Sequence, residues 1–332
     1  MFEANWLRLQ RLATFSRARL HQLSHDLELD YERSDGHLVL LRGERDLAQI
    51  QPALDALARL GTRMRTLDAA ACRQIEPGLN ADIALHAGVH LPDDEVANSR
   101  QFALLLRAAA QRRGVEFRLA TQVHAIGAGP MPTVVSSRVP RDASAAGGVR
   151  ERASQTFDAV VVCAALDSGA LLRPLGVNLP IQPVHGYTVT APLREDLGAG
   201  DTAPRSALTD ERHRVDIVRL GQRVRVAGGA ELGGAMGGHR AATLRTLYQV
   251  LDDWFPGSAR AGQAQAWKGT RTMLPDGLPV VGASGVSGVW LNLAHGTSGA
   301  ALACGCARVL ADAIAGRIGT DPIDGLGVER LR

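Results

Sequence analysis

The sequence predicts a mixed α+β/α-β fold, in which an α/β layer is interleaved with a mainly antiparallel sheet. Strand-like and helix-like segments alternate in the first half of the chain and again near its end, as they do in α/β layers. Between about residues 180 and 230 the pattern is instead rich in short strands, at Tyr187–Thr190, Val215–Val218 and Arg223–Val226. Because the strand-rich segment interrupts the alternating ones, we expect two interleaved domains.

The N-terminal part is expected to alternate between helix and strand. Apolar residues at helical spacing predict a long helix over Trp6–Leu27 and a second helix that ends near Gly61. A strand is expected between them at His37–Leu41. Another strand, His86–Leu91, is expected to end in an acidic turn over Pro92–Glu95.

The middle of the alternating part should add one helix and two strands. Ser99 is a candidate N-cap for a helix that ends near Gly114, and Val115–Leu119 alternates as a strand should. Residues 127–154 are rich in Gly, Pro, Ser and Ala, which indicates a surface loop or hairpin. The unbroken apolar run Phe157–Ala164 is typical of a strand buried on both faces of a parallel sheet.

The last third is expected to return to alternation. A helix over residues 244–251 ends before Pro256, a strand follows at Val289–Leu293, and an Ala-rich helix extends from about 298 to 315. The segment Gly228–Gly233 approaches a dinucleotide-binding fingerprint, but Ala230 occupies the middle glycine position, where a methyl group would block the pyrophosphate. We therefore interpret it as the glycine-rich end of a strand.

Composition excludes several function classes. The net charge is +3 and the basic residues form no block, so a nucleic-acid surface is not expected. Lys268 is the single lysine, no P-loop is present, and the four cysteines have neither disulfide nor zinc spacing. No metal site, membrane-spanning run or secretory leader is therefore expected, and the chain should face a reducing cytosol.

Five ordered blocks nevertheless carry a resemblance: Leu91–Glu95, Phe157–Ala165, Pro183–Thr190, Trp267–Gly282 and Leu291–Gly299. Together they resemble the FAD-dependent family of amino-acid oxidases, glycine oxidase and sarcosine oxidase, and within it the D-amino-acid dehydrogenase small subunit. The resemblance extends over nearly all the chain.

The resemblance implies two domains. Residues 96–180 and 268–318 would form an FAD-binding layer of the glutathione-reductase type, and residues 1–95 and 181–267 a helical and antiparallel substrate domain. Family members begin with a strand–GxGxxG–helix unit of about 30 residues that holds the ADP half of FAD. Met1 falls beyond that unit, so we expect a truncated FAD-binding layer that holds FAD weakly or not at all. The family's Ala-x-Gly-like turn is replaced by Ala164–Leu166.

The same resemblance implies site residues. Arg271, in the Trp-x-Gly-x-Arg block, would bind the substrate carboxylate, for which the bidentate guanidinium is well suited. Tyr187 would lie near the substrate pocket, although a half-buried strand tyrosine is an equal alternative. The cofactor contacts would come from residues near the adenine end or the flavin: Val123, Ala164, Ala165, His295, Gly296, Thr297, Ser298 and Gly299. Val123 has a plain strand valine as its alternative, His295 a backbone contact only, and His185 is expected to be a satisfied core or edge histidine.

The implied activity is oxidative deamination of D-amino acids to 2-oxo acids and ammonia, with hydride transfer to FAD and a quinone or other electron acceptor. The alternatives are an oxygen-using amine oxidase of the glycine or sarcosine oxidase kind, and a cofactor-free, non-enzymatic remnant. The expected location is cytoplasmic, with peripheral association at the inner face of the inner membrane as the alternative. No nucleic-acid partner is implied.

Overall fold

The computed structural model describes residues 2–139, 151–194, 202–233, 237–317 and 324–331. The chain divides into two compact units. Unit 1 comprises Met1–Leu29, Leu105–Val184 and Arg271–Arg332, and unit 2 comprises Asp30–Leu104 and His185–Thr270. The sequence-based division runs near these boundaries but assigns the first helix to the other domain.

The helices are α1 Phe2–Asp26, α2 Glu44–Arg59, α3 Ala69–Ile75, α4 Ser99–Arg112, α5 Ser168–Leu172, α6 Ala241–Trp254 and α7 Gly299–Ile314. The first seven strands are β1 Arg33–Leu41, β2 Arg65–Asp68, β3 Ala87–Ala97, β4 Thr121–Gly127, β5 Thr133–Arg138, β6 Ala153–Thr156 and β7 Val160–Val162. The others are β8 Gln182–Pro192, β9 Ala207–Asp210, β10 Val215–Leu220, β11 Arg223–Leu232, β12 Gln265–Met273, β13 Val280–Ala283 and β14 Val289–Leu293. As predicted, the segment Gly228–Gly233 is mostly the end of a strand.

Unit 2 is built on an eight-stranded sheet with the order β12-β8-β11-β10-β9-β1-β3-β2. The pairings β10–β11 and β9–β10 are antiparallel, whereas β1 and β9 are parallel. Alternating residues on one face, among them Leu208, Ile217 and Val226, form the buried core with Leu247 and Trp254 of α6. The β-rich segment of the sequence therefore forms a largely antiparallel sheet, as predicted.

Unit 1 contains two three-stranded sheets, β13-β14-β7 and β4-β5-β6. Strands β7 and β14 are parallel, and both β13–β14 and β4–β5 are antiparallel. Helix α1 packs on α7, with Leu12, Leu302 and Cys306 in a shared core. A Cβ atom at Gly305 would lie 2.8 Å from Ser16 Cβ, so only glycine permits this close approach. This packing places α1 in unit 1.

One described helical segment, Gly296–Ile314, is long and apolar enough by length and composition to cross a membrane. This is weak evidence, because the core helix of a soluble protein passes the same test. Its α7 portion packs against α1.

Two local predictions near β3 are wrong. The expected acidic turn at Pro92–Glu95 is part of β3, because the strand continues to Ala97 and pairs with the start of β1 through a bulge after Asp35. The expected N-cap, Ser99, is the first residue of α4. Asn98 caps this helix, since its Oδ1 accepts a hydrogen bond from Gln101 N at 3.2 Å.

Two expectations in unit 1 also change, and a third is confirmed in one of its alternatives. Val115–Leu119 is irregular and exposed instead of a strand, since it pairs with no strand that the structure describes. The segment 127–154, expected as a surface loop or hairpin, contains β5 and the start of its antiparallel partner β6, with residues 140–150 outside the described part of the chain. The apolar run Phe157–Ala164 forms a strand only over Val160–Val162.

Candidate functional site

Two chain reversals lie at one edge of the sheet β13-β14-β7. Since β7 and β14 are parallel, their carboxyl ends meet at the same edge, which is where open α/β sheets bind ligands. After β7, Ala165 has φ 50° and starts a 3₁₀ turn into α5. After β14, Ala294 and Gly296 both have φ 61°, and a 3₁₀ turn leads into α7. Both strands therefore leave the sheet through left-handed residues, and we call these two reversals the corners.

The second corner presents polar groups at a helix start. Thr297 and Ser298 are exposed, and no side chain caps α7 at its N terminus. The first backbone N–H groups of a helix have no intrahelical acceptor and carry the positive end of the helix dipole. This corner therefore suits the acceptor-rich or anionic edge of a ligand.

His295 is held by its own strand. Its Nε2 lies 2.9 Å from Asn292 Oδ1, and burial lowers the pKa of its imidazole from the usual value. The ring is therefore neutral at neutral pH and braces the corner.

The other expected cofactor residues of unit 1 are divided between two places. Ala164 and Ala165 form the first corner, but Val123 lies in β4, in the other three-stranded sheet. Val123 is partly exposed and pairs with Ser136 just before a register shift. Helix α5, which begins directly after the first corner, packs on β4.

Arg271 lies near the end of β12 and is half-buried. Its guanidinium makes no hydrogen bond or ion pair with any residue in the part of the chain that the structure describes. By strand alternation its side chain projects to the same side as Trp267 and Gly269. A half-buried cation with free donors is the arrangement expected for binding a carboxylate.

Tyr187, in unit 2, is fully buried and belongs to a charged trio that sequence reasoning missed. Its hydroxyl donates a hydrogen bond to the Glu231 carboxylate. Lys268 Nζ lies 3.2 Å from Oε2 of the same carboxylate and 5.5 Å from the centroid of the Tyr187 ring. The only signals in the sequence were that Glu231 lies in the discounted glycine-rich block and that Lys268 is the single lysine.

Interactions within the trio stabilise the charged forms of Glu231 and Lys268. The hydrogen bond from Tyr187, helped by Lys268, lowers the pKa of Glu231 despite partial burial. For Lys268, burial opposes the charged form, but the interactions with Tyr187 and Glu231 outweigh it and raise the pKa. The trio is therefore an ion pair between Glu231 and Lys268, with the Tyr187 hydroxyl hydrogen-bonded to its carboxylate.

His185 is a satisfied core histidine, as expected. It is buried, and its Nδ1 lies 2.8 Å from Thr270 Oγ1.

Comparisons with known proteins give one family. The family model described as FAD dependent oxidoreductase matches residues 2–313. A "D-amino acid dehydrogenase" of Rhizorhabdus wittichii is 38% identical over 318 residues, which cover 95% of this chain and 73% of that protein. Another, from Cereibacter sphaeroides, is 38% identical over 327 residues, or 97% of this chain and 71% of the relative.

Solved structures share the fold at low identity. Glycine oxidase from Geobacillus kaustophilus superposes with a TM-score of 0.79 at 20% identity, over 96% of this chain and 82% of that one. L-Proline dehydrogenase from P. horikoshii gives a TM-score of 0.77 at 14% identity, over 97% and 82% of the two chains. The fold is thus the mixed α/β fold of these enzymes.

Proposed function

Because this chain belongs to the family of FAD-dependent oxidoreductases, we propose that it oxidises free D-amino acids to imino acids, which hydrolyse to 2-oxo acids and ammonia. FAD is the cofactor of the family and, when bound, accepts the hydride from the substrate α-carbon. The relatives named D-amino acid dehydrogenase, 36–38% identical over most of this chain, support the substrate class.

We further propose that unit 1 is the FAD-binding layer, of the glutathione-reductase type, and that unit 2 is the substrate domain. The corners of unit 1 fit the flavin part of FAD. Ala164 and Ala165 at the first corner, with Gly296, Thr297 and Ser298 at the second, offer backbone groups at the carboxyl ends of two parallel strands. The N–H groups before α7 would face the pyrimidine edge, where negative charge accumulates on reduction. His295 and Gly299 would keep this turn in place, and the Val123 backbone would contact the adenine end.

The observation that carries the substrate proposal is the unpartnered guanidinium of Arg271. A half-buried arginine without an acid among the described residues keeps its donors for a ligand, and an amino acid always brings a carboxylate. Two parallel hydrogen bonds would fix the position and tilt of the substrate, so that its α-hydrogen faces the flavin. Tyr187 of unit 2, held by Glu231 and Lys268, is proposed as a further substrate contact.

Replacing Arg271 with alanine tests this proposal. Loss of a charged bidentate hydrogen bond should cost on the order of 2–4 kcal/mol, or roughly 30- to 1000-fold in kcat/KM for D-amino acids. The measurement is steady-state reduction of a dye by FAD-loaded protein. Arg317→Ala, which removes an exposed arginine paired with Asp312 in the same unit, is the matched control and should change little. A near-normal kcat/KM in Arg271→Ala would assign the carboxylate to another residue.

The electron acceptor distinguishes the two enzyme classes. We propose a quinone or similar acceptor, and with it a cytoplasmic protein that can associate peripherally with the inner membrane, because the relatives are named dehydrogenases. The glycine oxidase fold neighbour keeps an oxygen-using amine oxidase as the second candidate. Turnover that consumes oxygen without added quinone or dye would favour that second candidate.

A further inference from the structure

Arg225 is a charged residue of unit 2 that the proposed function has not used. It lies in β11 between Val224 and Val226, which are 0% and 1% exposed in the core under α6. Since side chains alternate along a strand, Arg225 projects to the opposite face of the sheet. There it is only half-buried.

On the side of β10, the neighbours of Arg225 on that face do not balance its charge. Directly across the sheet it pairs with Val218 of β10, and beyond Val218 comes Ala207 of β9. Asp216, one row along, pairs with Ala227, and its carboxylate accepts a hydrogen bond from Thr209 at 2.7 Å. Burial lowers the pKa of the Arg225 guanidinium, and no acid contributes to that shift.

This isolation is unusual among the half-buried basic side chains of unit 2 that the structure describes. The partly buried Arg42 pairs with two carboxylates at 2.7 Å, and Lys268 pairs with Glu231. Even the more exposed Arg223, two residues before Arg225 in the same strand, pairs with Glu32 at 2.8 Å. Arg225 makes no hydrogen bond or ion pair with any residue in the described ranges. A partly desolvated charge without a partner carries a cost in the folded chain, and an anion from outside the chain would offset that cost.

We propose that Arg225 binds the side-chain carboxylate of an acidic amino acid on the face of the unit 2 sheet opposite α6. A guanidinium amid small apolar side chains suits a compact carboxylate, since its planar fork can donate two parallel hydrogen bonds. Because the proposed function assigns the α-carboxylate of the substrate to Arg271, a second arginine fits a second carboxylate. This inference rests on the proposed function for the identity of the ligand, but not for the presence of the anion site.

Calorimetric titration of the full chain with D-alanine and with D-glutamate tests the proposal without turnover. Arg225→Gln should weaken binding on the order of 10- to 100-fold. Arg223→Gln, on the same strand and the same face, is the matched control and should change the Kd less than about twofold because its exposed ion pair contributes little. This weakening is expected for D-glutamate alone, and equal weakening for both ligands would contradict the proposal because it would place the α-carboxylate at Arg225.

A second measurement separates ligand binding from folding. Because Arg225 is charged, half-buried and unpaired, Arg225→Met should raise the melting temperature of the ligand-free protein, whereas a structural arginine would lower it when replaced. Arg225→Lys should keep part of the affinity.

Unchanged binding of D-glutamate in Arg225→Gln, a lower melting temperature in Arg225→Met, or no binding of D-glutamate by the unmodified chain would overturn the proposal. If the chain binds D-glutamate through Arg225 but oxidises neither amino acid when loaded with FAD, the anion site stands and the proposed function fails.

Discussion

The buried Asp210 of unit 2 and the two corners of unit 1 both carry unfavourable local energies, but only at Asp210 are these offset by other residues. Asp210 is fully buried, and its carboxylate accepts hydrogen bonds from Arg42 Nε and Trp254 Nε1, both at 2.7 Å, and from His213 N at 3.0 Å. Burial opposes its ionisation, but these donors outweigh burial and lower its pKa. The cost of burying this charge is therefore offset by hydrogen bonds from Arg42, Trp254 and His213.

At the corners, the backbone strain is not relieved by glycine, and the helix start is not capped by a side chain. Ala165 and Ala294 adopt left-handed backbone conformations, which alanine tolerates poorly, and no side chain caps the helix start that follows Gly296. Local strain of this kind concentrates at functional sites, where the surrounding structure maintains it. The Asp210 network therefore serves stability, whereas the strain at the corners agrees with the flavin-binding role proposed for them.

The largest effect should come from replacing Asp210, the buried carboxylate that accepts several hydrogen bonds. Asp210→Ala removes the acceptor for Arg42, Trp254 and His213, and leaves their donors without it in the interior. The free energy of unfolding should fall by about 3–5 kcal/mol, measured by urea denaturation. Asp216→Ala removes an exposed carboxylate on the neighbouring strand β10 and should cost less than about 1 kcal/mol. A loss no greater than that control would mean that the network contributes little.

Much of the fold could be predicted because it depends on local pattern. Helical spacing predicted α1, α2, α6 and α7 within a few residues, and short apolar runs predicted β1 and β14. What failed depends on partners distant in sequence. The strand expected at Val115–Leu119 has the alternation but pairs with no described strand, and β3 extends to Ala97 because it pairs with Arg33–Asp35.

The candidate site likewise contains residues that contiguous sequence identifies and residues that only the folded structure brings together. Arg271 and the turn at His295–Gly299 could be named in advance because the resemblance assigned roles to contiguous blocks. The trio at Tyr187 could not, since Glu231 and Lys268 come from two other strands that only the sheet brings together. Arg225 has no sequence signal of its own among the many arginines, because what distinguishes it is the absence of an acid nearby among the described residues.

Replacing Glu231 of the trio should have an intermediate effect on the free energy of unfolding, and this effect depends on pH. Because Tyr187 and Lys268 hold the pKa of Glu231 low, the stability from this carboxylate is present above its unfolded-state pKa of about 4.3 and is lost as pH falls through the folded-state value. In urea unfolding from pH 6 to pH 3, the chain should therefore lose stability more steeply than Glu231→Gln. Glu44→Gln, which removes an exposed carboxylate in unit 2, is the control and should follow the unmodified chain. Parallel curves for Glu231→Gln and the unmodified chain would contradict the ionised pair.

The smallest effect should have the opposite sign, because it relieves strain at a corner. Ala165 is exposed and has φ 50°, so its methyl group buries little while its backbone conformation costs about 1–2 kcal/mol. Ala165→Gly removes that strain but adds about 0.4–1 kcal/mol of unfolded-state entropy, which leaves a net stabilisation of roughly 0.5–1 kcal/mol. Ala300→Gly, at an exposed position in the first turn of α7, relieves no strain and should instead destabilise by up to about 1 kcal/mol. Ala294 lies between these cases, since it is left-handed but only 2% exposed, and the loss of its packed methyl offsets the relieved strain. Urea denaturation of the three variants should therefore rank them Ala165→Gly, Ala294→Gly and Ala300→Gly from most to least stable. If Ala165→Gly is as unstable as Ala300→Gly, the first corner stores no strain, and the contrast with Asp210 no longer separates binding from stability.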